Sequence, residues 1–127
     1  MDSTARDPAT GLLITGDLIF STKIAGTARA MGMEMAVVAS AVAAVDRLVN
    51  SPARCVIVDL STPGLTPDAI HGVVGAAAGR PVVAFGSHVD AERLAAASAA
   101  GCTEVMPRSR LAASLPQLLT AYLEANR

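Results

Sequence analysis

A chain of 127 residues fits one domain, because a single core usually takes ~100–150 residues. It is 52% hydrophobic but only 2% aromatic, so that core has to be filled by Ala, Val, Leu, Ile and Met packed at close quarters. A net charge of -1, from 10 basic and 11 acidic residues, excludes the electrostatic footprint of a nucleic-acid or anionic-membrane binder, and no apolar stretch approaches the ~20 residues of a membrane span.

Apolar runs of strand length alternate with stretches whose apolar residues recur at helical spacing, which argues for a parallel sheet. Residues 1–10, MDSTARDPAT, are polar, carry no signal-peptide core and are expected to form a flexible segment ahead of a domain over 11–127. The cytoplasm is the expected location. The first strand is GLLIT, 11–15, and Ser21 is a plausible N-cap for a helix that buries Ile24, Ala28 and Met31 and ends at Gly32. A second strand, 34–39, leads to a helix with Val42, Val45, Leu48 and Val49 on one face, stopped by Asn50, Ser51 and Pro52. The third strand, 55–59, is the apolar run CVIV closed by Asp59. Thr66, Pro67 and Asp68 then read as N-cap, first-turn proline and first-turn carboxylate of a third helix carrying Ile70, Val73, Val74 and Ala77. The fourth strand is PVVAF, 81–85, and the alanine-rich run from Asp90 to Ala100 is the fourth helix, closed by Gly101 in a left-handed conformation. The last strand is CTEVM, 102–106, and the last helix lies between Arg110 and Glu124, with Ser114-Leu115-Pro116 as a candidate start. Cys55 and Cys102 are too few and too far apart for a metal cluster or a disulfide framework and read as small buried residues.

Open parallel sheets carry their sites beyond the carboxyl ends of the strands, near the point where strand order reverses. Asp59 ends an otherwise apolar strand, so its carboxylate is expected at that rim. The other rim segments are Gly16-Asp17, Gly86-Ser87-His88 and Pro107-Arg108-Ser109. Asp59 has a plainer reading too, since Asp commonly bonds the backbone of its own turn. His71 and His88 read as a helix-surface and a loop residue, because neither has a Cys, His or carboxylate partner at metal-ligand spacing. No nucleophile–base pair can be placed, so no enzyme is expected.

The segment Val58-Asp59-Leu60-Ser61-Thr62-Pro63-Gly64 resembles the phosphoacceptor strand and following turn of the receiver domains of two-component response regulators. The resemblance runs from residue 11 to about 125 and extends to the spacing of the rim segments and to Gly101 before the fifth strand. It implies a CheY-like, flavodoxin-like fold: three α/β/α layers around five parallel strands in the order 2-1-3-4-5. It also implies a phosphorelay module with Asp59 as candidate phosphoacceptor, a pocket completed by Asp17, Ser87 and Arg108, and Mg²⁺ held by Asp17, Asp59 and Ser61. A histidine kinase or a downstream regulator would be the partner, and the face of the fourth helix, fifth strand and fifth helix, with Glu92, Arg93, Glu104, Arg110 and Tyr122, would serve a partner or a homodimer.

The departures from that family weaken the chemistry. Gly16-Asp17 leaves one carboxylate where receivers usually have an acidic pair, Gly86 stands in the place of the switch hydroxyl, and the family's lysine falls on Arg108. A pocket less negative by one charge should hold Mg²⁺ weakly, because Mg²⁺ needs carboxylate oxygens in near-octahedral array. The expectation is an atypical receiver that requires no cofactor, is phosphorylated weakly or not at all, and acts through protein contacts. Two alternatives stay open: a STAS-like anti-anti-sigma domain, suggested by VIVDLSTPGLTPDAI, and a small-molecule or nucleotide-binding domain, although TGDLIFST lacks the G-x-G-x-x-G turn.

Overall fold

The computed structural model describes residues 9–124; residues 1–8, most of the 1–10 segment expected to be flexible, and 125–127 lie outside it, while Thr10, at the end of that segment, belongs to the first strand. Five strands, β1 (Thr10–Ile14), β2 (Glu34–Val38), β3 (Val56–Asp59), β4 (Val82–Gly86) and β5 (Glu104–Pro107), alternate with five helices. The helices are α1 (Leu18–Ala30), α2 (Ala41–Val49), α3 (Pro67–Ala77), α4 (Ala91–Ala99) and α5 (Arg108–Leu119), and α5 runs on into a π-helical turn over Thr120–Glu124. All four strand pairings are parallel, as the alternation of elements predicts, and the order is β2-β1-β3-β4-β5, as the resemblance implies.

The central strands are apolar on both faces because helices cover both, and successive side chains leave a strand on opposite sides. Leu12, Ile14, Val56, Val58, Val82 and Ala84 meet Ala44 and Leu48 of α2, Ile70 and Val73 of α3 and Ala97 of α4. Leu13, Ile57, Val83 and Phe85 point the other way, onto Ile24 and Ala28 of α1 and Leu111, Leu115 and Leu119 of α5. Each buried Leu, Ile or Val side chain contributes ~1.5–3 kcal/mol of transfer free energy, and small alanines on the helices let the layers approach. Cys55 and Cys102 are free thiols; burial pushes the first up to about 12 and the second up to about 11.

The helix starts differ from expectation at two points that shape the rim. Asp17, not Ser21, caps α1: its carboxylate accepts from Phe20 N–H, while Ser21 is buried inside the helix and donates to the Leu18 carbonyl at 3.0 Å. The last helix begins at Arg108, ahead of both Arg110 and Ser114, and Pro116 lies within it. Proline is a poor guide to a start here: Pro116 lies in the helix interior although its missing N–H and the clash of its ring with the carbonyl four residues back cost ~3 kcal/mol or more. Thr66 caps α3 as expected, and Ser40 and Asp90 cap α2 and α4; each accepts from a backbone N–H three residues on. Gly32 and Gly101 leave α1 and α4 at positive φ of 78° and 108°.

Candidate functional site

Register alone brings the polar rim residues together. β1 pairs with β3 through Leu12↔Val56, Leu13↔Ile57 and Ile14↔Val58, an offset that sets Thr15 beside Asp59. Asp59 in turn is paired with Phe85 on β4. By the two-residue alternation, Thr15, Asp59 and Phe85 share the face of Leu13, Ile57 and Val83, which is covered by α1 and α5. Both of those helices start at this rim, so their first residues, Asp17 before α1 and Arg108 at the head of α5, close over the carboxylate.

Asp59 is 1% exposed, and both of its oxygens are engaged. Thr15 Oγ1 donates to Oδ2 at 2.6 Å. Ser61 donates to Oδ1 twice, from its backbone N–H at 3.0 Å and from its hydroxyl at 2.6 Å. The backbone part of this pattern is the turn that Asp makes two residues on, the plainer of the two sequence readings. Thr15 Oγ1 itself accepts from Asp17 N–H at 3.0 Å, so a relay of donors runs from the α1 entry to the buried carboxylate.

Arg108 supplies the compensating charge. One terminal nitrogen lies 3.5 Å from Asp59 Oδ1 and 3.3 Å from Ser61 Oγ, and the other lies 3.7 Å from Asp17 Oδ2. Its guanidinium carbon sits 4.8 Å from the Phe20 ring centre and 5.2 Å from that of Phe85, while the two rings contact each other at 5.2 Å. The chain has two phenylalanines, and both are spent on this one cation. A cation at a helix N-terminus opposes the macrodipole at a cost of ~0.3–1 kcal/mol, so the two carboxylates and two rings have to offset that cost.

The residues expected to hold Mg²⁺ do not suit it. Asp17 Oδ1 caps α1 at 2.9 Å and its Oδ2 faces Arg108; Asp59 Oδ1 accepts twice from Ser61 and faces the Arg108 guanidinium, while Oδ2 accepts once from Thr15; Ser61 Oγ donates to Asp59 and meets Arg108. The donor set offers two carboxylates with a guanidinium against both, whereas Mg²⁺ requires free oxygens arranged around it. Among the described residues no group of three or more His, Cys, Asp or Glu side chains is arranged to hold a metal.

Of the residues singled out in the sequence, Asp17, Asp59, Ser61 and Arg108 converge, and Ser87 does not. Ser87 is exposed in the loop after β4 and uses its hydroxyl to accept from Val89 N–H at 3.4 Å, because Gly86 is still part of the strand and the chain turns outward after it. A side chain at Gly86 would meet Leu60 and Leu94 at 3.4–3.5 Å, so this position faces apolar neighbours. His88 is exposed, and His71 lies 3.3 Å from the Ala100 carbonyl. The sequence reading missed three contributors: Thr15, Phe20 and Phe85. Thr15 was visible as the one polar residue closing GLLIT, and counting the parallel register from Leu12 and Val56 places it opposite Asp59.

No family model and no curated protein matches the chain. Solved structures do. A CheY-like response regulator receiver domain protein from Methanospirillum hungatei superposes with a TM-score of 0.79 over 93% of this chain and 95% of that one, at 13% identity. The receiver domain of the sensor histidine kinase PA1611 from Pseudomonas aeruginosa, with a magnesium ion in its active-site cleft, gives 0.79 over 92% and 98%, at 18% identity. NtrX from Brucella abortus, in complex with ADP, gives 0.77 at 18% identity; 93% of this chain is covered, but it spans only 27% of NtrX. At these identities the likeness is one of architecture, and the chain has the CheY-like fold of response regulator receiver domains.

Proposed function

We infer that the chain is a receiver-like signalling module that works through protein contacts, in the cytoplasm, without taking a phosphoryl group at Asp59 at an appreciable rate. The observation that carries this reading is the engagement of Asp59: Oδ2 accepts from Thr15, Oδ1 accepts from Ser61, and the Arg108 guanidinium lies against Oδ1, so attack on a phosphodonor would have to disrupt contacts already made. The fold supports the class, since the solved structures described above are receiver domains or proteins of that fold.

The flank of the pocket is also tied down. Arg93 donates to the Leu60 carbonyl at 2.8 Å and pairs with Asp90 at 3.0 Å, which fastens the head of α4 to the residue next to Asp59. With apolar Leu60 and Leu94 around Gly86, no hydroxyl stands there to draw the loop after β4 inward. The reading is therefore non-enzymatic and of a single fixed state. Around the same rim Leu18, Ile19 and Val89 are 81%, 86% and 78% exposed, which suits contact with a partner protein such as a kinase or a downstream regulator. The α4-β5-α5 face, where Tyr122 donates to Glu104, is the surface proposed for a homodimer.

Incubation with Mg²⁺ and acetyl phosphate, followed by intact mass, tests the reading against Asp59→Asn. Wild type and variant should both keep their mass. Rapid stoichiometric gain of one phosphoryl group by wild type alone, with a change in oligomeric state, would show that Asp59 is a working acceptor.

A further inference from the structure

We propose that Arg108 is a resident cation: it holds the position that a divalent metal would need in this pocket and makes the domain indifferent to Mg²⁺. The inference rests on the closed-pocket reading and goes one step further, to what closes it. The three residues whose oxygens the resemblance assigns to Mg²⁺, Asp17, Asp59 and Ser61, are the three that Arg108 contacts, at 3.7, 3.5 and 3.3 Å. The guanidinium and a metal ion would compete for those oxygens, and their like charges would repel.

Three features hold the guanidinium there. Its backbone is fixed at the head of α5, its charge faces two carboxylates, and the rings of Phe20 and Phe85 lie against it. A guanidinium is weakly hydrated and planar, so stacking on rings costs it little. An incoming divalent ion would meet a fixed positive charge and would have to displace it.

Neutralising that one charge should reverse the selectivity. Without it the rim offers the Asp17 and Asp59 carboxylates together with the Thr15 and Ser61 hydroxyls, an all-oxygen set of the kind that hard divalent cations take. The probe is Mn²⁺, read by loss of the free-ion EPR signal in titrations of wild type, Arg108→Gln, Arg108→Lys and Arg108→Gln/Asp59→Asn. Arg108→Met, which keeps an unbranched stem beneath the rings, replaces the Gln variant if thermal unfolding shows that Gln does not fold.

Arg108→Gln should bind Mn²⁺ about tenfold or more tightly than wild type, as expected from removing one like charge at contact distance. Arg108→Lys should stay as weak as wild type, and the double variant should lose the gain. Wild type binding as tightly as Arg108→Gln, Arg108→Lys binding as tightly as Arg108→Gln, or a gain that survives loss of the Asp59 carboxylate would each overturn the proposal. The phosphodonor assay keeps the two ideas separate. A wild type that takes no Mn²⁺ but gains a phosphoryl group defeats the fixed-state reading alone; one that takes Mn²⁺ and gains none defeats the resident cation alone.

Discussion

Two arginines mark the two ends of the sheet, and they spend the same guanidinium differently. Arg80, just ahead of β4, donates to five backbone carbonyls: Leu48, Ser51, Ala53, Ala76 and Ala77, at 2.8–3.3 Å. Three of these belong to the last turns of α2 and α3, whose carbonyls have no partner within the helix and carry the negative end of the dipole. Arg108, just after β5, faces carboxylates, a hydroxyl and two rings. The first arginine satisfies main-chain atoms that any sequence would present there. The second satisfies side chains that this sequence placed there. An arginine bonded to carbonyls is evidence about folding, and one poised over a buried carboxylate is evidence about a site.

Replacing Arg80 by Ala should have the largest effect, a loss of about 3 kcal/mol in urea unfolding, because several buried carbonyls lose a charged donor at once. A loss below ~1 kcal/mol would mean that water takes over those carbonyls and that the staple is ornamental. Thr15→Val is next, at about 2 kcal/mol, since it strands one oxygen of a buried carboxylate; Asp59→Asn in the same chain should recover part of the loss. Arg108→Ala should cost less, about 1–2 kcal/mol, because the side chain is 35% exposed and its ion pairs are long. The two arginines should then part company in salt. At about 1 M, where the Debye length is ~3 Å, the cost of losing Arg108 should shrink while the cost of losing Arg80 stays, which chevron or equilibrium curves at two ionic strengths will read. Smallest is Arg93→Ala, at under ~1 kcal/mol, with its effect visible in faster amide exchange at the head of α4.

The fold was legible because its signals are periodic. Runs such as GLLIT and VIVD between helical repeats announce a parallel sheet, and Thr66, Asp90 and the glycines at 32 and 101 punctuate it by local chemistry. Asp59, Asp17 and Arg108 were found by asking what stands at strand ends. Phe20 could not be found that way, since an aromatic in the first turn of a helix reads as one more apolar residue until α1 and α5 are set side by side. Ser87 failed for the opposite reason: adjacency along the chain suggested a place at the rim, but β4 extends through Gly86 and turns the serine away. The start of α5 was obscured because Pro107 provides no side-chain cap to read.

The Thr15–Asp59 hydrogen bond also has a meaning for assembly of the sheet. Apolar strands such as β1 and β3 are interchangeable in composition, and Val, Ile and Leu would pack almost as well one residue out of step. Such a slip would carry the Thr15 hydroxyl to the opposite face and leave a buried carboxylate oxygen without its donor, a penalty of ~1–3 kcal/mol that the correct alignment avoids. The pair thus acts as a proofreading mark in an otherwise featureless interface: the polar residue that makes the pocket is the one that tells two greasy strands where to stop sliding.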